Sequence, residues 1–206
     1  VANETLIDVA SKYVGKQETF GRNDGPNIRA WKTLLGPGVA GAIGIPWCAI
    51  FVAAMLMLRN GLNRRQLVAK LGFRPGKTFL ESCDSWVGEI IAHDASCRAS
   101  GRPDDCYIVQ APQPGDIAFL MERDDRGAYS KTKAHHVFIV TEARSNCALR
   151  TIEGNTVPGG AESKLSREGD GVYHRFRGIE DMGERYIFAR FPSSLTGVSS
   201  ERAPDV

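Results

Sequence analysis

Pro46-Trp47-Cys48-Ala49-Ile50-Phe51-Val52-Ala53-Ala54-Met55-Leu56 is the stretch on which the fold turns. It is apolar on every side of a helical wheel, and such a helix belongs inside a domain, covered by other elements. Proline suits the first helical position, where its missing N–H would have no partner anyway. The helix is therefore expected to open at Pro46 and run to about Asn60. Cys48 then falls in its first turn, at the positive end of the helix dipole, which favours a thiolate over a thiol. A free cysteine also packs well as a small hydrophobe. Only a histidine and an orienting polar group from elsewhere in the chain would make it a nucleophile.

Upstream, Leu6, Ile7, Val9, Ala10, Tyr13 and Val14 recur at helical spacing, so Glu4 to Val14 reads as an amphipathic first helix ended by Gly15. The loop KQETFGRNDGPN follows, made polar by Glu18, Asn23 and Asp24; Asn23 or Asp24 would suit the cap of the next helix. Pro26 opens that second helix, which carries Ile28, Trp31, Leu34 and Leu35. GPGVAGAIGI, just before the central helix, is glycine-rich and reads as flexible; it lacks the Gly-Lys-Ser/Thr ending of a phosphate loop.

Downstream, Leu67, Val68 and Leu71 suggest one short helix, and Trp86, Ile90 and Ile91 another. Residues 61–112 hold too few apolar residues for a core of their own and read as an insert elaborating a single domain over 1–192. The pattern changes at Pro112-Gln113-Pro114-Gly115, after which the period is two. DIAFLM (116–121), HVFIVT (136–141), LRTIE (149–153), VYHRFR (172–177) and YIFARF (186–191) all read as strands. Helices first and antiparallel strands second indicate an α+β domain, its helices layered on one face of a sheet. Residues 193–206 have little to bury and are expected to fray.

With 206 residues and a net charge of +2, the chain has no nucleic-acid footprint. No apolar run is long enough to insert into a membrane. The opening VANETLIDVA is not a signal peptide, although one removed earlier is compatible with the numbering. The five cysteines are Cys48, Cys83, Cys97, Cys106 and Cys147, and an odd count fits a free thiol beside disulfides or several unpaired thiols. Cys97 and Cys106 flank a polar loop suited to a small disulfide, which leans toward a secreted or periplasmic setting.

Four histidines are available. His93 lies in the insert and His174 alternates with Val172 and Phe176; both read as structural or surface-exposed. His136 begins an apolar strand with Phe138 and Val140 on its own face, at an edge that can meet the start of the central helix. On the next strand, alternation puts Thr151, Glu153 and Asn155 together, and Glu153 or Asn155 could accept a hydrogen bond from the imidazole. Glu153-Gly154-Asn155 would also serve as a plain turn. A cysteine nucleophile needs a base and a third group to hold that base in the right tautomer. Cys48, His136 and Glu153 or Asn155 supply those types. Zinc chemistry is disfavoured, since neither His-Glu-x-x-His nor Cys-x-x-Cys occurs, and adjacent His135 and His136 would point to opposite faces of a strand.

Pro-Trp-Cys-Ala-x-Phe-Val, Pro-x-Pro-Gly-Asp-Ile, His-Val-x-Ile-Val and Ile-Glu-Gly-Asn, in that order, resemble the cysteine- and histidine-dependent amidohydrolase/peptidase domain, called CHAP. The resemblance covers about residues 4–60 and 112–191 and implies a papain-like fold related to the NlpC-type cell-wall peptidases. It implies Cys48 as nucleophile, His136 as general base with His135 its exposed neighbour, and Glu153 as the orienting group with Asn155 as alternative or helper. The implied substrate is peptidoglycan, cut between muramic acid and L-alanine or within the stem peptide and cross-bridge. The backbone N–H of Cys48 would donate to the oxyanion, and a second donor is expected from the loop of Glu18, Asn23 and Asp24 or from near Trp47. Trp47 and Trp31 are candidates for the groove wall. No cofactor or metal is implied; NDGPN is too sparse for the calcium loop of some relatives, and Trp47-Cys48-Ala49 replaces the Asp-Cys-Ser usual in NlpC-type enzymes. The expected setting is secreted, periplasmic or wall-associated, the expected state a monomer, with an immunity or targeting protein as a further partner. The competing expectation is a papain-like protein that binds wall fragments or a partner without turnover, or an amidase for a different substrate.

Overall fold

In the computed structural model, which describes residues 4–19, 23–76, 78–144, 148–157, 169–178 and 182–199, the chain opens with α1 (Leu6–Ser11). Thr5 caps it, accepting from the Asp8 N–H while the Asp8 carboxylate accepts from the Thr5 N–H, so two otherwise unpaired donors are satisfied. The helix is shorter than its apolar spacing predicts. Residues 12–15 turn away instead, and the Gly15 N–H donates to the Val172 carbonyl at the sheet. Next come α2 (Pro26–Leu35), opened by its proline as expected, and α3 (Pro37–Ala40), a single turn inside the glycine-rich segment.

The central apolar stretch folds as α4 (Cys48–Asn60), with every residue from Cys48 to Met57 buried. Its start differs from expectation. Trp47, not a residue before Pro46, is the N-cap, so Cys48 is the first helical residue rather than a later member of the turn. Gly61 ends the helix in left-handed backbone (φ 61°), a conformation with no Cβ penalty for glycine.

The insert holds α5 (Arg64–Lys70), α6 (Cys83–Ala99), a 3-10 turn (Pro103–Asp105) and the short strand β1 (Ile108–Val109). It shares the main core: Trp86 packs on Phe119 at 6.3 Å and on Phe191 at 6.2 Å between ring centres, and Phe73 joins them. The strands β2 (Ile117–Arg123), β3 (Tyr129–Arg144), β4 (Ala148–Thr156), β5 (Gly171–Gly178) and β6 (Tyr186–Ala189) follow, with α7 (Met182–Arg185) before β6 and α8 (Ser193–Thr196) after it. The six strands form one antiparallel sheet in the order β1-β6-β2-β3-β4-β5. The protein is thus α+β, with N-terminal helices packed on a C-terminal sheet.

Strand alternation divides the sheet's side chains. Ile117, Phe119, Val137, Ile139 and Ile152 join the helices in the main core, while Ala118, Leu120, Phe138 and Val140 form a second apolar cluster with Tyr186 and Phe188. The tail does not fray at 193: α8 buries Leu195, and Arg59 of α4 donates to the Ser194 and Leu195 carbonyls. Residues 200–206 lie outside the described part of the chain.

Gly154 fixes how closely α4 sits on the sheet. A Cβ there would lie 2.7 Å from Phe51 Cβ and 2.8 Å from Trp47 Cζ3. Glu153-Gly154-Asn155 is therefore not a turn. It is a bulge inside β4, where the register against β5 slips between Glu153 and Thr156 and Asn155 takes a left-handed φ of 57°. Gly154→Ala is expected to destabilise the protein by about 1–3 kcal/mol through overpacking, read as a lowered urea midpoint. An unchanged midpoint would mean that α4 does not need this close seat.

Candidate active site

Cys48 meets the sheet at the N-terminus of α4. Its Sγ lies 3.6 Å from the Sγ of Cys83, the first residue of α6. The Cys48 thiol is held well below its ordinary pKa by the hydrogen bond with Cys83, then, against the cost of burial, by His136 and by the Val137 N–H. Cys83 is pushed the other way, by that same hydrogen bond, by burial, and by the negative charges of Cys48 and Asp84. The shifts run in opposite directions, so Cys48 is the sulfur that more readily carries the charge and Cys83 the one that holds its proton.

His136 leaves β3 beside a second bulge. Leu120 pairs with His136 and Met121 with Ala134, so His135 is an extra residue, and bulges of this kind re-aim neighbouring side chains. His136 Nε2 is 2.9 Å from Glu153 Oε2, and the same ring hydrogen-bonds the Cys48 sulfur. Burial alone would lower the imidazole pKa, but the hydrogen bonds and charges of Cys48 and Glu153 outweigh it and raise it to about 9. The two shifts run in opposite directions and favour the charged pair, thiolate beside imidazolium, over the neutral one.

Glu153 is completely buried and would not stay ionised unaided. Arg177 on β5 grips it with both branches, Nε to Oε1 at 2.8 Å and Nη2 to Oε2 at 2.6 Å. Thr151 Oγ1 adds a donor to Oε1 at 2.7 Å. These bonds and the positive charge of His136 overcome the penalty of burial and hold the carboxyl well below the usual carboxylate range. The Arg177 guanidinium also lies over the Phe138 ring, 5.4 Å from its centre. The site is a relay of Cys48, His136, Glu153 and Arg177, drawn from one helix start and three adjacent strands. It sets a thiol of lowered pKa beside an imidazole of raised pKa, with a buried carboxylate that fixes the imidazole.

Arg177 and Cys83 are the members that sequence reasoning misses. Arg177 reads as one of several charged residues on an alternating strand, and Cys83 as one of five cysteines whose pairing the sequence leaves open. For Arg177 a signal did exist: a carboxylate assigned to a buried strand must find a cation on a neighbouring one. Asn155, the other candidate for orienting the imidazole, lies buried beyond the bulge, so the alternation that would place it with Thr151 and Glu153 is broken.

The residues expected to face substrate are placed differently. Trp47 is 1% exposed and packs on Trp31, which is 2% exposed, with ring centres 5.6 Å apart. Neither forms a groove wall. Glu18 braces the helix start: Oε1 accepts from Trp47 Nε1 at 2.9 Å and Oε2 from the Asn23 N–H at 3.0 Å. Asn23 is buried in left-handed backbone, and its carbonyl and that of Ala42 accept from the buried Lys32 ammonium. Asp24 pairs with Arg29 at 2.6 Å, and Gly25, not Asn23 or Asp24, is the N-cap of α2. The loop thus supports the N-cap of α4 from behind. His135 is half-buried at the bulge.

The disulfide expected between Cys97 and Cys106 is not formed; both are free thiols. Cys97 Sγ faces the His93 ring, at 3.7 Å from Nδ1, and Cys106 Sγ faces the Asp94 carbonyl at 3.6 Å. The two sulfurs have separate neighbours in the folded protein. Cys147 lies outside the described residues. Comparison with protein-family models, with curated proteins and with solved structures finds no match to this chain.

Proposed function

We propose that this chain is a papain-like cysteine hydrolase acting on amide bonds of peptidoglycan, in a secreted, periplasmic or wall-associated setting. The observation that carries the hydrolase reading is the buried relay from Cys48 through His136 to Glu153, with Nε2 and Oε2 2.9 Å apart. Peptidoglycan as substrate rests on the CHAP-like order of the four motifs. In the proposed reaction the Cys48 thiolate attacks the carbonyl carbon, and the developing oxyanion is met by the Cys48 N–H in the first turn of α4, which receives no side-chain cap from Trp47. The His136 imidazolium gives its proton to the leaving amine as the C–N bond breaks, which leaves a thioester on Cys48. Neutral His136 then takes a proton from water, the resulting hydroxide attacks the thioester, and Cys48 departs as a thiolate with the imidazolium restored.

Purified peptidoglycan incubated with the protein is expected to release soluble muropeptides whose masses identify the cut bond. Release should disappear in both Cys48→Ala and His136→Ala while their circular dichroism stays that of the parent. Full activity in either variant would remove the residue from the mechanism. An intact wall with the unmodified protein, alongside hydrolysis of simple amide or peptide substrates, would move the substrate elsewhere.

A further inference from the structure

Cys83 has no part in the hydrolytic sequence above, yet its sulfur is 3.6 Å from the nucleophile across 35 positions of sequence. A serine or threonine at that place would donate the same hydrogen bond to a thiolate. A second cysteine adds a chemistry that neither hydroxyl has. The two sulfurs stand at the first residues of α4 and α6, and both are buried. A disulfide needs its sulfurs about 2.05 Å apart, so the two need approach by only about 1.5 Å. The other described cysteines face different groups, Cys97 the His93 ring and Cys106 the Asp94 carbonyl.

We propose that Cys48 and Cys83 are a reversible redox-modification site, in which a hydroperoxide oxidises Cys48 and Cys83 traps the product as a disulfide that silences the nucleophile. In the first step the Cys48 thiolate attacks one peroxide oxygen and the O–O bond breaks. Sulfur loses two electrons to become a sulfenic acid, and the peroxide is reduced to hydroxide, or to an alkoxide from an organic peroxide. In the second step the Cys83 sulfur attacks the Cys48 sulfur and the S–O bond breaks. The oxygen leaves as water, carrying the Cys83 proton. An external dithiol reverses the bond by exchange: it donates two electrons and two protons to the two cysteines and leaves as its own disulfide. The opposite pKa shifts of the two sulfurs fit this order: Cys48, pushed toward the thiolate, is the one disposed to react first, and Cys83, pushed toward the thiol, is spared direct attack. The disulfide also protects, because a sulfenic acid without a neighbouring thiol goes on to sulfinic acid, which dithiothreitol does not reduce.

This inference rests on Cys48 being the reactive thiolate of the proposed hydrolase, but not on the substrate. The test uses the full chain, hydrogen peroxide in modest excess, alkylation of the remaining thiols and peptide mass mapping without reduction. The expected product is a Cys48–Cys83 linked peptide pair, two hydrogens lighter than the reduced peptides and restored by dithiothreitol. In Cys83→Ser, which keeps a hydrogen-bond donor of similar size, Cys48 is expected to accumulate as sulfinic acid that dithiothreitol does not restore. Sulfinic acid at Cys48 in the parent protein as fast as in Cys83→Ser would overturn the proposal, as would a link from Cys48 to another cysteine or an unreactive Cys48. A linked pair in a protein that leaves peptidoglycan intact would uphold this site and defeat the substrate assignment instead.

Discussion

Glu153→Gln is expected to lower kcat on an amide substrate by on the order of 10²–10⁴-fold, the range spanned by a mispositioned or mis-tautomerised catalytic histidine. Glu153 is the partner of His136 Nε2, and its negative charge is one of the forces that raise the imidazole pKa to about 9. A neutral amide removes that charge while keeping the shape. The imidazolium then becomes less stable, and the thiolate it accompanies becomes less stable with it. In the parent protein the rate should hold across neutral pH and fall as His136 loses its proton near pH 9. In the variant that alkaline limb should move down, toward the ordinary histidine value of about 6.5. Iodoacetamide gives a substrate-free readout of the same coupling. Cys48 should react at lower pH than ordinary thiols and lose that advantage in Glu153→Gln. If the labelling profile of Cys48 is identical in the two proteins, the carboxylate does not control the pair and the relay is wrong.

Arg177→Met tests the next link and should have the largest effect on stability. Methionine keeps an unbranched stem against Phe138 but leaves the fully buried Glu153 without the fork that binds both of its oxygens. Removing one partner of a buried ion pair costs about 3–5 kcal/mol. The pH dependence has a definite sign. The Glu153 carboxyl lies below its unfolded value of about 4.3, so its contribution is present above that pH and is lost as pH falls through the folded-state pKa. In the variant the folded-state pKa rises. Stability should then climb less steeply between about pH 3 and 6, and where burial wins outright it should fall over that range. Urea unfolding at several pH values measures both quantities. A variant with the parent's midpoint and the parent's pH slope would show that Arg177 is not what keeps Glu153 charged.

Much of this architecture was legible because burial leaves a periodic trace. Residues 48–60 are apolar all round because α4 is enclosed, and the five longer strands alternate because the sheet sorts its side chains between two clusters. The proline at 46 misled by two residues, since Trp47 is pinned as the cap by Glu18, a contact made across 29 positions. The length of β3 was hidden for the reverse reason. Tyr129–Ala134 pair with β2 yet carry polar, exposed side chains in the middle, and a solvent-facing hairpin has no apolar signature to read. Glu153-Gly154-Asn155 admits a turn beside the strand reading because glycine and asparagine serve bulges and turns alike.

The sequence by itself determined the α+β order, the enclosed helix with a cysteine in its first turn, and the histidine and carboxylate strands that could meet it. Those features rest on local composition and on periods of 3.6 and 2, which a chain carries wherever it folds. Only the tertiary structure decided that Glu153 faces His136, that Arg177 keeps it charged, that Trp47 is core rather than groove, and that the neighbour of Cys48 is Cys83. Each of these depends on which side chains converge across tens of residues. Their pKa shifts arise from burial and from charges brought together by folding, and neither exists in the unfolded chain.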